Sequence, residues 1–386
     1  MITHTLMMQK DKKYRVFISA AEPSADDHCA NLIAALAKKG YDNIELVGIG
    51  GPKMAKAGCE LLQTTVGKAV MIYNAFTQIG RYYMLLRRVK RYLRTNKVDL
   101  VVVCDSPAFN WHVAKFAKKI GIKTIFYVAP QLWAWAGWRI RKMRKSCDKL
   151  CCLLPFEQEW FRSRGVDTVF VGNPMLAAIK IEWGRQKDYA DFDPKNVRIA
   201  IMPGSRDAEL KSLWGPMQTI ALRIKAKYPG ATFVTVAVDE KRRKSLEENQ
   251  IPGFECDYTV ASVCETADIV DFAIVASGSA TLEVAAMACP MVVMYQSSRI
   301  LWRLVGTWVI KTKYLCLVNI LAGRELVPEF MPYFTSTDPI AESIERFLDD
   351  TDKLTQLSGN LAELTRPLGR KNAGEEVAQV VVEMLG

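Results

Sequence analysis

Histidine is scarce in this chain: only three stand among 386 residues, at positions 4, 28 and 112. No Cys-x-x-Cys pair occurs among the ten scattered cysteines. Cys147, Cys151 and Cys152 form a loose cluster with no histidine near it in sequence. That pattern argues against zinc and for buried free thiols in a reducing cytosol. Also missing are a solenoid-length repeat, a low-complexity segment and a P-loop lysine. No group of carboxylates has divalent-ion spacing, so neither a metal nor another cofactor is expected. Met1–Lys13 is polar and lacks an apolar signal core. The longest weakly charged stretch, Phe272–Tyr295, carries Ser-Gly-Ser and Glu283 in its middle. It reads as strand, turn, helix and strand rather than a spanning helix. A soluble or peripheral protein is expected.

Cations are plentiful. Lys and Arg number 52 against 41 Asp and Glu, a formal charge of +11. Such an excess favours anionic partners, whether nucleic acid, an anionic membrane surface or phosphorylated substrates, and does not choose among them. Half of the residues are hydrophobic, which makes the chain globular and, at this length, two-domained.

Two β/α series are visible. In the first, Tyr14–Ser19, Ile44–Gly48, Leu100–Cys104, Lys123–Val128 and Leu150–Leu154 are short runs rich in Val and Ile. Helical patterns such as Cys29–Ala37 and Trp111–Lys119 separate them. The second contains Val197–Met202, Thr232–Val238, Ile269–Val275 and Met291–Tyr295. This alternation predicts parallel sheets covered by helices on both faces. Ligands on such sheets bind beyond the carboxyl ends of the strands. The junction is placed at Gly172-Asn173-Pro174 and the polar stretch through Asn196. After Leu354 the pattern is helical, with a break at Pro367-Leu368-Gly369. The expected class is α/β: two Rossmann-like domains facing across a cleft, the B-type glycosyltransferase architecture. The expected boundaries are 1–175 for the first domain and 176–365 for the second. Residues 366–386 are expected to form a helix packing back on the first domain.

The most informative run is Asp271-Phe-Ala-Ile-Val-Ala-Ser277-Gly278-Ser279-Ala-Thr281-Leu-Glu283. It reads as a buried strand, a small-residue turn and a helix start. Small residues let a phosphate approach the backbone, and the helix aims free N–H groups at it. Glu283, placed two residues into the helix, suits a ribose diol. The alternative is a turn that uses Gly and Ser for geometry alone. A second anion-type turn, Met202-Pro203-Gly204-Ser205-Arg206, ends the first strand of the same series. Arg206 there is suited to neutralising a diphosphate leaving group.

In the first series, the turn Ser19–His28 places Glu22, Ser24 and Asp26 at the rim of the sheet. Carboxylates and a hydroxyl suit sugar hydroxyls, although Ser and Asp also favour helix starts. Gly48–Lys53 reads as a tight turn. Asp105 follows Leu100–Cys104 and is carried to the carboxyl edge. A carboxylate there suits proton removal from an attacking hydroxyl; an N-cap before Pro107 is the competing reading. Asn319-Ile-Leu-Ala-Gly323-Arg324-Glu325 concentrates polar groups between apolar flanks. Arg324 and Glu325 form an ion pair in one reading, and Asn319 reaches substrate in the other. Arg81–Arg94, Trp133–Lys145 and Arg299–Lys313 interleave cations with aromatics. Leu85, Leu86, Val89, Tyr92 and Leu93 form one stripe of the first. Trp302, Arg303 and Trp308 mark the third. Such segments serve either as ordinary core stripes or at a lipid–water interface.

Assembled, these motifs resemble the lipid-A-disaccharide synthase family, inverting glycosyltransferases, over about Val16–Leu385. The resemblance rests on Ala21-Glu22-Pro-Ser24-Ala-Asp26, Gly50-Gly51-Pro52-Lys53-Met54, Asp105-Ser-Pro107-Ala-Phe109-Asn110 and Tyr127-Val-Ala-Pro130-Gln-Leu-Trp133-Ala-Trp135. It continues in Leu154-Pro155-Phe156-Glu157, Pro203-Gly-Ser205-Arg206, Ser277–Glu283 and Asn319–Leu326. It implies transfer of a diacylated glucosamine from a UDP-2,3-diacylglucosamine donor to a 2,3-diacylglucosamine 1-phosphate acceptor. The implied products are a β(1→6) disaccharide 1-phosphate and UDP. The implied base is Asp105; Glu22 and Asp26 are counted with it as catalytic. Ser24, Arg206, Ser277, Gly278, Ser279, Thr281, Glu283, Asn319 and Arg324 are counted as substrate-binding. Metal-independent catalysis is implied. So is a cytoplasmic, peripheral location on the inner face of the bacterial inner membrane, with a homodimer left open. This chain departs from the family's usual pattern at Ala25, Ala108, Asn173 and Val318. The rivals are a UDP-sugar epimerase or hydrolase of the same fold, an RNA-binding protein, and an inactive membrane scaffold. Nucleic acid is not an expected partner.

Overall fold

The computed structural model describes residues 12–65, 75–177, 179, 183–298, 302 and 312–386. Most of the aromatic–basic segment Arg299–Lys313, including Arg303 and Trp308, lies outside the described residues, as does most of Met1–Lys13. The chain divides into two compact units: residues 1–178 together with 370–386, and residues 179–369.

The first unit holds a parallel sheet of β1 (Tyr14–Ala20), β2 (Ile44–Gly50), β3 (Glu60–Thr64), β4 (Leu100–Cys104), β5 (Lys123–Tyr127), β6 (Lys149–Cys152) and β7 (Thr168–Phe170). Their spatial order is β3-β2-β1-β4-β5-β6-β7. Side chains alternate across the pleat, so each strand feeds two cores. Val16, Ile18 and Ala20 pack with Leu32 and Leu36 of helix Pro23–Lys38 and with Val377 and Val381 of helix Ala373–Leu385. Phe17, Val101 and Val103 meet Val89 and Leu93 of helix Ala75–Thr95 and Phe109 and Val113 of helix Pro107–Lys119. Helix Ala373–Leu385 lies close against helix Pro23–Lys38, because Gly374 has no Cβ to meet the Asn31 carbonyl.

The second unit is built on β8 (Arg198–Met202), β9 (Thr232–Ala237), β10 (Asp257–Val260), β11 (Phe272–Ala276), β12 (Met291–Met294) and β13 (Glu329–Phe330). These strands run parallel in the order β10-β9-β8-β11-β12-β13. Ile199, Ile201, Phe272 and Ile274 share a core with Leu213, Met217, Ile220 and Ile224 of helix Asp207–Lys227. Phe272–Tyr295 forms β11, helix Ala280–Ala286 and β12. The predicted helix break falls later than expected. Pro367 lies inside helix Thr351–Gly369, near its last turn, and the next helix starts at Ala373. Pro367 removes one N–H donor, the one that would bond the Glu363 carbonyl, and the helix ends two residues on.

Strand order reverses direction between β1 and β4 in the first unit and between β8 and β11 in the second. Chain segments leaving the two strands at such a switch point diverge and leave a crevice at the carboxyl edge. The register pairs Ala20 with Cys104 and Met202 with Val275. It therefore places the Glu22 turn beside Asp105, and the Arg206 turn beside the Ser277 turn.

Candidate active site

In the first unit, Asp105 and Ser106 both adopt left-handed backbone, with φ of 52° and 42°. Two consecutive non-glycine residues in this region are strained and persist only when their surroundings hold them. Asn110, fully buried, does much of the holding. Its Nδ2 donates to the carbonyls of Cys104 and Asp105, each at 2.8 Å, and its Oδ1 accepts from Ser19 Oγ at 2.7 Å. The Asp105 N–H donates to the Tyr127 carbonyl at 3.0 Å. Ser106 occupies the N-cap position, but its side chain makes no cap bond. Its hydroxyl donates instead to Glu22 Oε1 at 2.7 Å. Glu22 is itself the N-cap residue of helix Pro23–Lys38, again without a side-chain cap bond. The two turns are thus tied together by their side chains rather than used as caps.

The electrostatics follow. Burial lifts the Asp105 carboxyl above the ordinary carboxylate range, and the negative charge of Glu22 lifts it further. The Ser106 N–H opposes both. A half-buried carboxylate of raised pKa at a sheet's carboxyl edge is a competent proton acceptor.

Asp26, expected among the catalytic groups, is 2% exposed. Its Oδ1 accepts from the N–H groups of Gly51 and Met54 at 2.9 and 3.0 Å, and its Oδ2 from Lys53 at 3.1 Å. Both oxygens anchor the Gly51–Met54 turn from a distance, which is the work of a cap. Ser24 stays exposed at the rim.

In the second unit, Gly204, Ser205, Arg206, Ser277, Gly278, Ser279 and Glu283 line one pocket of about 300 Å³. Glu209 sets its first wall. Oε2 accepts from the N–H groups of Ser205 and Arg206 at 3.0 and 3.1 Å, and Oε1 accepts from Arg206 Nη1 at 2.6 Å. The Arg206 side chain is 78% exposed and so remains open to an incoming anion. Thr281, expected to bind substrate, is buried. Its hydroxyl donates to the Gly278 carbonyl at 2.7 Å and shapes the turn from behind. Glu283 is the fourth residue of its helix, not the second. Burial raises its carboxyl above the usual range, and its Oε2 accepts weakly from Cys264 Sγ at 3.7 Å.

Asn319 does not reach the pocket. It is fully buried, and its Nδ2 donates to the Val327 carbonyl and Glu329 Oε2 at 2.8 and 3.0 Å. Its Oδ1 accepts from the N–H groups of Leu326 and Val327 at 2.7 and 2.9 Å. Two donors and two acceptor positions are all used, so Asn319 pins the Gly323–Val327 loop. Arg324 and Glu325 are exposed, form no ion pair with each other, and do not line the pocket.

Sequence reading missed two groups. Glu209 was legible as an acidic residue three positions beyond an N-cap, the spacing of a capping box. Val236, Ala237, Val238, Ala261 and Val263 form the pocket's apolar side, and small apolar residues carry no chemical signature in sequence.

Comparison with known proteins gives one consistent result. Residues 16–382 match the family profile described as lipid-A-disaccharide synthetase. The lipid-A-disaccharide synthase of Geobacter sulfurreducens is 32% identical over 98% of this chain and 99% of its own length. Lipid-A-disaccharide synthase 1 of Legionella pneumophila is 32% identical over 96% of this chain and 97% of its own. Among solved structures, a Staphylococcus aureus MnaA–UDP co-structure superimposes with a TM-score of 0.60 at 11% identity, covering 95% of this chain and 96% of that one. Acinetobacter baumannii MurG gives 0.55 at 13% identity, covering 96% and 99%. These structural likenesses identify the fold, two parallel-sheet domains of the kind found in B-type glycosyltransferases and sugar-nucleotide epimerases. The sequence matches go further, and by them the chain belongs to the lipid-A-disaccharide synthase family.

Proposed function

We propose that this protein transfers 2,3-diacylglucosamine from UDP to the 6-hydroxyl of 2,3-diacylglucosamine 1-phosphate, as a step of lipid A biosynthesis. The observation that carries the reading is the strained Asp105–Ser106 turn, which presents a carboxylate of raised pKa in a chain of this family. In the proposed step, Asp105 takes the proton from the acceptor O6. A bond forms between that oxygen and the donor anomeric carbon from the face opposite UDP. The bond from that carbon to the phosphate oxygen breaks, and its electron pair leaves with UDP. One displacement inverts the anomeric centre.

The donor is assigned to the second unit. Arg206 and the N–H groups of the Ser277–Ser279 turn face the diphosphate, where negative charge grows as the bond breaks. Glu283 holds the ribose diol. Asp26, Thr281 and Asn319 act at one remove, by fixing backbone that touches substrate. Arg324 and Ser24, both exposed, are left to contacts with the substrates' outer groups.

The membrane is the natural place for two lipid substrates. No helix among the described residues is long and apolar enough to cross one. Peripheral attachment at the inner membrane is supported by an aromatic and cationic face on the first unit. The Arg139 guanidinium lies over the rings of Trp111, Trp135 and Trp138 at 5.8, 5.1 and 5.1 Å, and Trp138 is 68% exposed. Tryptophan beside cations favours headgroup depth.

The test is direct: purified protein with UDP-diacylglucosamine and diacylglucosamine 1-phosphate, followed by mass spectrometry of the lipid. A disaccharide 1-phosphate supports the reading. UDP release or sugar epimerisation in the absence of acceptor, with no disaccharide in its presence, overturns it in favour of the epimerase or hydrolase alternative.

A further inference from the structure

Helix Ala75–Thr95 does more than cover the sheet. Two turns into it, the Tyr82 ring meets Phe109 edge-on, with centroids 5.1 Å apart and planes at 85°. Phe109 is buried in the first turn of the helix that follows Asp105-Ser106-Pro107. Tyr82 is therefore seated at the same carboxyl edge as Asp105, although it comes from a different element, the aromatic–basic segment Arg81–Arg94, and from none of the motifs that carry the family resemblance. It is not sealed into the core: 46% of it remains exposed. Its phenol is pushed above the usual range first by burial and then by the charge of Glu22, the carboxylate that also lifts Asp105 and accepts the Ser106 hydroxyl. Glu22 thus acts on both Tyr82 and Asp105 from the same rim.

We infer that Tyr82 is a wall of the acceptor subsite, its ring packing against the acceptor sugar beside the hydroxyl that Asp105 deprotonates. The inference rests on the proposed function and names a group that the family motifs do not include. The physical case is one of shape. A base works only on a hydroxyl held within hydrogen-bond reach, so the acceptor ring must lie against whatever surface borders Asp105 and Glu22. A tyrosine offers a broad, rigid apolar body for the C–H face of a pyranose and a polar tip for its hydroxyls. Phe109 fixes the ring's tilt.

Three variants test it: Tyr82→Phe keeps the ring, Tyr82→Leu keeps an apolar contact to Phe109 without a flat face, and Tyr82→Ala removes both. The KM of each substrate and kcat are measured in mixed micelles, with melting temperatures alongside. The expected result is a rise of about tenfold in acceptor KM for the Leu and Ala variants, corresponding to about 1.4 kcal/mol. The donor KM is expected to stay within about twofold, and the Phe variant to remain close to wild type. A Leu variant that melts like wild type and keeps its acceptor KM, or a rise of both KM values in proportion, overturns the inference. Calorimetric titration of each variant with acceptor alone separates this outcome from failure of the proposed function. If wild type makes no disaccharide, the functional reading falls by itself, and unequal acceptor binding by wild type and Tyr82→Leu still decides the case for Tyr82.

Discussion

Asp105 stands on strained backbone, and that position gives it a specific dependence on pH and on its neighbours. Replacing it with Asn keeps the shape and removes the proposed base. Turnover should fall by about 10² to 10⁴, while UDP binding, measured by calorimetry, should stay near wild type; undiminished turnover would remove Asp105 from the mechanism. Because Glu22 raises the Asp105 carboxyl, Glu22→Gln should move the acidic limb of the kcat/KM profile to lower pH. An unmoved limb would show that another group titrates. Elsewhere in the same unit, Glu157 is buried, accepts from Trp133 Nε1 at 2.9 Å and from the Leu154 N–H at 3.1 Å, and is still pushed up by burial from 4.5 to about 7. The folded chain therefore holds this proton more tightly than the unfolded one. The associated stability is present in full below the unfolded value and is lost as pH rises through about 7, on the order of 3 kcal/mol. Urea titrations should show the gap between wild type and Glu157→Gln changing across that interval; a constant gap would exclude Glu157 as the source. Asn319 shows the limit of sequence at this scale. Its polarity was legible, but whether an amide faces substrate or four backbone and side-chain partners depends on how the loop folds over it.

At the scale of elements, what could be read was what lay inside. The runs predicted as strands correspond to β1, β2, β4, β5, β6, β8, β9, β11 and β12. The four strands absent from the sequence reading are β3, β7, β10 and β13, and these are the four edges of the two sheets. An inner strand of a doubly covered parallel sheet is buried on both faces and so spells a continuous apolar run. An edge strand such as Glu60–Thr64 or Asp257–Val260 is short and half open to water, and its sequence looks like a loop. The Gly204 and Gly278 turns were legible because small residues gather where a chain turns sharply. Gly204 is the strictest case. Its φ is +101°, and a Cβ there would lie 2.5 Å from Glu209 Oε2, the oxygen that holds the Ser205 and Arg206 N–H groups. Gly204→Ala should therefore disturb the Arg206 wall and weaken UDP binding several-fold with little change in the first unit. An unaltered UDP affinity would mean that this turn does not carry the diphosphate.

For the whole molecule, the cationic and aromatic face makes a claim about where the protein works. Vesicles containing about 30% anionic lipid should carry the protein on flotation, and Trp138→Ala combined with Trp135→Ala should release most of it, since each interfacial side chain contributes both area and placement. Equal flotation of the double variant would move attachment elsewhere. Both of these tryptophans were visible in the sequence as members of a basic run. Their exposure was not, because a stripe of aromatics at helical spacing looks the same whether it faces a core or a lipid surface.

Helix Ala373–Leu385 has a consequence of another kind. It supplies Val377, Val380 and Val381 to the core of the first unit, at about 1.5–3 kcal/mol for each side chain buried. On the ribosome, domains usually close one after another as they emerge. Here the opening domain waits, one flank uncovered, until all of residues 179–369 have been translated. The half of the enzyme that begins synthesis first is the half completed last, and a nascent chain must shield that apolar flank in the meantime.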